Sequence, residues 1–207
     1  MRIFKIAGIS ILIALFLSTG SFAIRKPSEK NKTPRPYVPI TYSIGINLNT
    51  GIVTGDYGDY LKGFDGTMAD QMFFGYGACF DYHFKAPVFL SLDFERNIKS
   101  VNDHTITATM FGLGVAYKLK KESATFPYIG AGFGLVSGDV EDYDRDFGSS
   151  KYIMFKLGHA IINGSKVNTK FEAYFRSIMV SDEVKAISPS DAGITIWGAR
   201  FILGIGF

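Results

Sequence analysis

The chain has 207 residues, 47% of them hydrophobic and 15% aromatic, with one cysteine. That length suits a single domain, and the lone Cys79 excludes an intrachain disulfide, so hydrogen bonding and packing must hold the fold. The net charge of +3 invites a nucleic-acid partner, but residues 1–36 carry +6 and residues 37–207 carry −3, so no nucleic-acid surface is expected.

Residues 1–23 have the three parts of a secretory signal: Arg2 and Lys5, an apolar run at 6–17, and small residues at Ser21 and Ala23, which predict cleavage after Ala23. The run is shorter than the roughly 20 residues a helix needs to span a bilayer, so an uncleaved anchor is disfavoured. No cysteine follows it closely, which excludes a lipoprotein anchor. Residues 24–39 mix Pro27, Pro34, Pro36 and Pro39 with charges and show no apolar period, so they read as a disordered periplasmic lead-in.

From residue 40 onward the pattern has period two, the signature of strands, and eight segments alternate. The first sets Tyr42, Ile44, Ile46 and Leu48 against Ser43, Gly45 and Asn47. The second sets Phe74 to Phe84 at even positions against Gly75, Gly77, Cys79, Asp81 and His83, and the third sets Val88, Leu90, Leu92 and Phe94 against Ser91, Asp93 and Glu95. The fourth opposes Phe111, Leu113, Val115 and Tyr117 to Met110, Gly112, Gly114 and Ala116; the fifth opposes Ile129, Ala131, Phe133 and Leu135 to Tyr128, Gly130, Gly132 and Gly134. The sixth opposes Ile153, Phe155 and Leu157 to Lys156, Gly158 and Ala160, and the seventh opposes Val167, Thr169, Phe171, Ala173 and Phe175 to Lys170, Glu172, Tyr174 and Arg176. The eighth is the clearest: Trp197, Ala199, Phe201, Leu203, Ile205 and Phe207 share one face, and Gly198, Arg200, Ile202, Gly204 and Gly206 the other.

Connections at 85–87, 118–125 and 163–166 are short, whereas those at 54–70, 97–104, 137–151 and 177–193 read as mostly long loops. Short turns at one end and long loops at the other, with an even strand count, predict an all-β, eight-stranded antiparallel up-and-down transmembrane barrel over residues 40–207, its short side periplasmic. A secreted β-sandwich also alternates, but it must show water its second face, and here that face is glycine, alanine and a few charges.

Residues 127–134, the eight alternating segments and terminal Phe207 resemble the outer-membrane β-barrel family of OmpA/OmpX type. The resemblance implies a Gram-negative outer-membrane location, no cofactor, and contact with outer-membrane lipids and lipopolysaccharide. It also implies an assembly signal for the barrel assembly machinery, matched by Arg200, Ile205 and Phe207, with Ile202 standing where glycine is usual. The resemblance covers the barrel alone, so the peptidoglycan-binding domain that some relatives carry is not expected.

Candidate chemistry lies on the inward face, where Asp81, Asp93, Glu95 and Glu172 meet Lys156, Lys170, Arg176 and Arg200. Four acids against four bases suggest mutual pairing in a lumen charge network, because an unpaired inner charge is costly. Counting along the strands places Lys156, Glu172 and Arg200 near mid-depth on three neighbouring strands. An eight-stranded barrel leaves room for side chains only, which favours a structural plug over a conducting pore.

The expected loops are acidic, with Asp56, Asp59, Asp65 and Asp70 in the first and Asp139, Glu141, Asp142, Asp144 and Asp146 in the third. Phe147 and Ile153 occupy the glycine and glutamate positions of a calcium loop, so no metal site is expected. Gly130, Gly132 and Gly134 fail the dinucleotide pattern at Leu135, and no helix follows. His83, His104 and His159 lack a nucleophile-elbow motif, so no catalytic residue is assigned. Three function classes remain: a structural or surface-interaction barrel acting through acidic loops toward a host or cell-surface ligand, a narrow pore, and a lipid A-modifying enzyme.

Overall fold

The computed structural model describes residues 40–55, 71–101, 104–120, 124–140, 143–163, 166–179 and 194–207, with side chains at all of these except 101, 104, 140, 143–148 and 163. The signal-peptide and lead-in expectations, and the segments 56–70 and 180–193, lie outside the described residues. Eight strands follow one another: β1 (Tyr42–Thr54), β2 (Met72–His83), β3 (Val88–Val101), β4 (His104–Lys118), β5 (Thr125–Val140), β6 (Tyr143–Asn163), β7 (Val167–Met179) and β8 (Ile194–Gly206). Each pairs antiparallel with the next, and β8 pairs with β1, closing the barrel. Closure leaves no free edge around the wall, the condition a sheet must meet where no water is present to satisfy its backbone.

The register fixes the geometry. A row of paired residues that starts at Leu48 reaches β6 at Ser149 when followed through β2 to β5, and at His159 when followed through β8 and β7. The two landings are ten residues apart, so the barrel has a shear of ten. Eight strands with that stagger tilt by about 40° and enclose space for side chains but no wide channel.

Alternation puts one residue of every pair outside. Ile44, Ile46, Leu48, Phe111, Val115, Phe133, Phe155 and Leu203 are all exposed on the outer wall. Ten residue steps from Tyr42 to Ile52, tilted, cover a depth of about 25 Å, the height of a lipid-facing band. Aromatic residues edge it: Tyr42 stacks on Phe207 at 5.5 Å and Tyr82 packs edge-on to Phe84 at 4.9 Å at the turn end. Phe175 and Trp197 meet at 4.6 Å toward the loop end. Apolar outside and charged inside is the inverse of a water-soluble barrel and marks a bilayer-spanning one.

Two of the expected long loops are different. β3 runs on to Val101 and β4 resumes at His104, while β5 runs to Val140 and β6 resumes at Tyr143, so most of 97–104 and 137–151 is paired strand. In these stretches and on the adjoining part of β4 the outward positions turn to Ser100, Thr105, Thr107, Thr109, Ser137 and Ser149. Apolar alternation reports lipid contact, and backbone pairing continues after that contact ends. The pairing is irregular only near Asp139, where the register shifts. Asp144 and Asp146 therefore lie on β6 rather than in a loop.

Candidate functional site

The lumen is stacked in three tiers. At the turn end Ile40, Phe89, Ala116, Phe126, Tyr128, Ala160 and Ile162 form one apolar cluster. At the loop end Val53, Phe73, Met110, Val136, Tyr152, Met154, Tyr174, Ile178 and Ile196 form another. Between them sit the ionised side chains, none more than 4% exposed.

All eight of the charged residues singled out from the sequence face inward, and the structure joins six of them around Arg200 while Lys170 and Asp81 form a pair of their own. Arg200 is the hub. Its Nη1 donates to Asp93 Oδ1 at 2.8 Å and to Glu95 Oε1 at 2.7 Å, and its Nε donates to Glu172 Oε2 at 2.6 Å, with Nη2 reaching the same oxygen. Arg176 holds Glu95 with both terminal nitrogens at 2.7 Å, the bidentate geometry that gives arginine its preference for carboxylates. Lys156 Nζ donates to Ser91 Oγ at 2.8 Å and lies 3.7 Å from Glu172 and 3.8 Å from Asp93. Lys170 pairs with Asp81, which also accepts from Ser43 Oγ at 2.9 Å. Glu172 completes its shell with the Tyr128 hydroxyl at 2.5 Å, and Asn49 Nδ2 donates to Glu95 at 3.3 Å.

The acids Asp81, Asp93 and Glu95 stand on β2 and β3, whereas the bases stand on β6, β7 and β8, so the pairs cross the barrel from wall to wall. Sequence parity identified the charged members but not the groups that cage them. Arg176 lies 4.3 Å from the Tyr174 ring and donates to the sulfurs of Met110 at 3.1 Å and Met154 at 3.5 Å. The cross-strand register carried the missing signal. Tyr128 pairs with Gly158, Tyr152 with Gly134, Tyr174 with Gly198 and Phe73 with Gly51. In each pair the ring fills the space where the glycine's Cβ would stand.

Arg200, Ile205 and Phe207 do not share a side of the wall: Arg200 is inside, while Ile205 and Phe207 face out. The Phe207 carbonyl accepts from the Thr41 and Tyr42 amides, and its own amide donates to the Tyr42 carbonyl, so it sits on the seam between β8 and β1. Ile202 points inward over Gly45, whose Cβ would lie 3.1 Å from Ile202 Cγ2, so that glycine makes room for it. His83 is inside and His159 outside, on opposite faces of the wall, and the side chain of His104 lies outside the described residues. Among the described residues no cluster of His, Cys, Asp and Glu could hold a metal ion.

No protein-family model matches the sequence, and no curated protein matches it either. Solved structures do. Neisserial surface protein A aligns with a TM-score of 0.58 at 11% identity, covering 81% of this chain and 97% of that one. The outer membrane protein OprG from Pseudomonas aeruginosa gives 0.47 at 15% identity, covering 83% and 98%. Ail of Yersinia pestis, solved with the heparin analogue sucrose octasulfate, gives 0.46 at 14% identity, covering 80% and 97%. At such identity the likeness to neisserial surface protein A concerns fold, and that fold is the closed eight-stranded antiparallel barrel.

Proposed function

We propose that this protein is an integral outer-membrane barrel with a structural or surface-interaction role, exposed at its loop end and closed through its lumen. The observation that carries the closed reading is the charge-balanced network sealed between two apolar tiers. Ions crossing it would have to break several charge-assisted bonds and then pass two layers of packed rings. Acting through the wall and the loop end, the barrel would contribute to membrane integrity or bind a cell-surface ligand there, with Arg200, Ile205 and Phe207 read by the assembly machinery.

Planar-bilayer recording tests the closed lumen, with no step conductance expected from the folded protein. Glu172→Gln, which keeps volume and removes charge, deprives Arg200 and Lys156 of a shared partner. Denaturant unfolding in detergent is expected to show a loss of about 3 kcal/mol, the scale for breaking a buried ion pair. Unchanged stability with altered conductance would overturn the plug. Fractionation tests the location, since recovery as a soluble periplasmic protein would sink the outer-membrane reading.

A narrow path for small solutes is the second reading. What favours it is the β1–β3 wall, where both amide atoms of Asn47 and Asn97 and Oδ1 of Asn49 are buried without a hydrogen-bond partner. Buried groups of that kind ordinarily bond to water. Lipid A modification is the third, and an unchanged lipid A mass after overexpression would set it aside.

A further inference from the structure

Arg96 and Lys151 are exposed on the outer wall, amid residues that face lipid. Arg96 stands between Phe94 and Ile98 along β3 and is flanked by Tyr76 and Thr109 on the adjoining strands. Lys151 is flanked by Leu135 and Met179. Neither has an ion-pair partner among the described residues, and the other outward-facing Asp, Glu, Lys, Arg or His side chains described on the strands are His159, toward the turn end, and Asp139, farther toward the loop end.

The shear brings them level. The row from Arg96 passes through Thr109 and Ser137 to Ser149. A ten-residue offset shared among eight strands puts the true level of Arg96 about four residues turnward of Ser149, so Lys151 comes within about two residues of it, roughly 5 Å in depth. A lipid-facing cation is costly in the middle of a bilayer and tolerated at the headgroup boundary, where its stem lies on apolar surface and its charge reaches out. Two unpaired cations at one depth therefore mark a plane of negative charge. Between them the wall carries the Thr109 and Ser137 hydroxyls beside Phe111 and Leu135, whereas the other arc at this level presents Phe74, Phe175 and Trp197 without an outward hydroxyl among these three.

We infer that Arg96 and Lys151 seat the phosphate groups of glycolipids in the leaflet at the loop end, with the intervening hydroxyls facing the sugars. Two strands, β4 and β5, stand between the two cations, so they address neighbouring lipids rather than one. This inference rests on the outer-membrane reading, which places a phosphorylated glycolipid at that end.

The full chain, folded in detergent, is mixed with lipid A bearing both phosphates, with dephosphorylated lipid A, or with phosphatidylglycerol, and retained lipid is counted by native mass spectrometry. Wild type is expected to retain phosphorylated lipid A in preference to the other two. Arg96→Gln and Lys151→Gln should each weaken that retention about fivefold, as expected for one cation near a charged membrane surface. Both positions point away from the lumen, and heat-modifiable gel mobility checks that the variants fold. Equal retention of phosphorylated and dephosphorylated lipid A by wild type would overturn the inference without recourse to any variant. So would undiminished binding by the folded double variant, and equal retention of phosphatidylglycerol would overturn the glycolipid assignment. Fractionation reads location separately, so a barrel that binds lipid A yet is found elsewhere would fail on location alone.

Discussion

Arg200 and Arg176 illustrate how differently two buried guanidiniums can be used. Arg200 serves Asp93, Glu95 and Glu172, whereas Arg176 serves Glu95 alone among the acids, stacks on Tyr174 and donates to the sulfurs of Met110 and Met154. Neutral replacement of either strands buried carboxylates, which is where most of the cost of breaking such pairs arises. Arg200→Met is therefore expected to lower unfolding free energy more than Arg176→Met, since it abandons three acids rather than one. Because both arginines hold Glu95, their effects should not add. The double variant is expected to differ from the sum by about 1 kcal/mol or more, as for residues in one ion-pair network. Denaturant unfolding of the four proteins in detergent checks this, and strict additivity would show that Glu95 does not couple them.

At the scale of strands, the recurring device is an inward ring over a glycine on the next strand. Gly158→Ala would push a methyl group into the Tyr128 ring and so disturb its hydrogen bond to Glu172, at a cost of about 1–3 kcal/mol for overpacking. Shortening the ring should relieve it: Tyr128→Leu combined with Gly158→Ala is expected to lose less than the two single changes together. Gly77→Ala offers no such rescue, because its methyl would meet the backbone carbonyl of Phe94. Unfolding midpoints of the paired variants decide between these expectations. The strands themselves were legible in the sequence because lipid on one side and a crowded lumen on the other impose opposite chemistry on alternate residues. The inward position of Asp93, Lys156 and Arg200 followed from the same parity. Which acid meets which base did not follow, since that depends on shear and on pairs that cross from β3 to β8, far apart along the wall. The upper parts of β3 to β6 were illegible for another reason: at Thr107, Ser137 and Ser149 the outward residues are already polar, and the period that reveals a strand fades there.

For the whole barrel the decisive joint is the seam between first and last strands. Phe207 bonds to Thr41 and Tyr42 through its backbone and stacks on the Tyr42 ring, whereas Phe133 is a comparably exposed outward phenylalanine with no place at the seam. Phe207→Ala is therefore expected to reduce the folded fraction on heat-modifiable gels well below that of Phe133→Ala. Equal folded yields would show that losing lipid contact, rather than weakening closure, is what matters at Phe207. The distribution of inner charge extends the point. Among the fully buried charges of the described residues, the first four strands carry three acids and the last four carry four bases and one acid, so each half alone holds an uncompensated buried charge of three units, of opposite sign. Neutrality of this buried set arrives only with Arg200, on the last strand in chain order. A chain halted one strand short would hold Asp93, Glu95 and Glu172 without the cation they share, and its interior would stay charged and open to water. The last strand thus works as a proof of completeness, separating finished barrels from truncated ones by whether the interior can become dry.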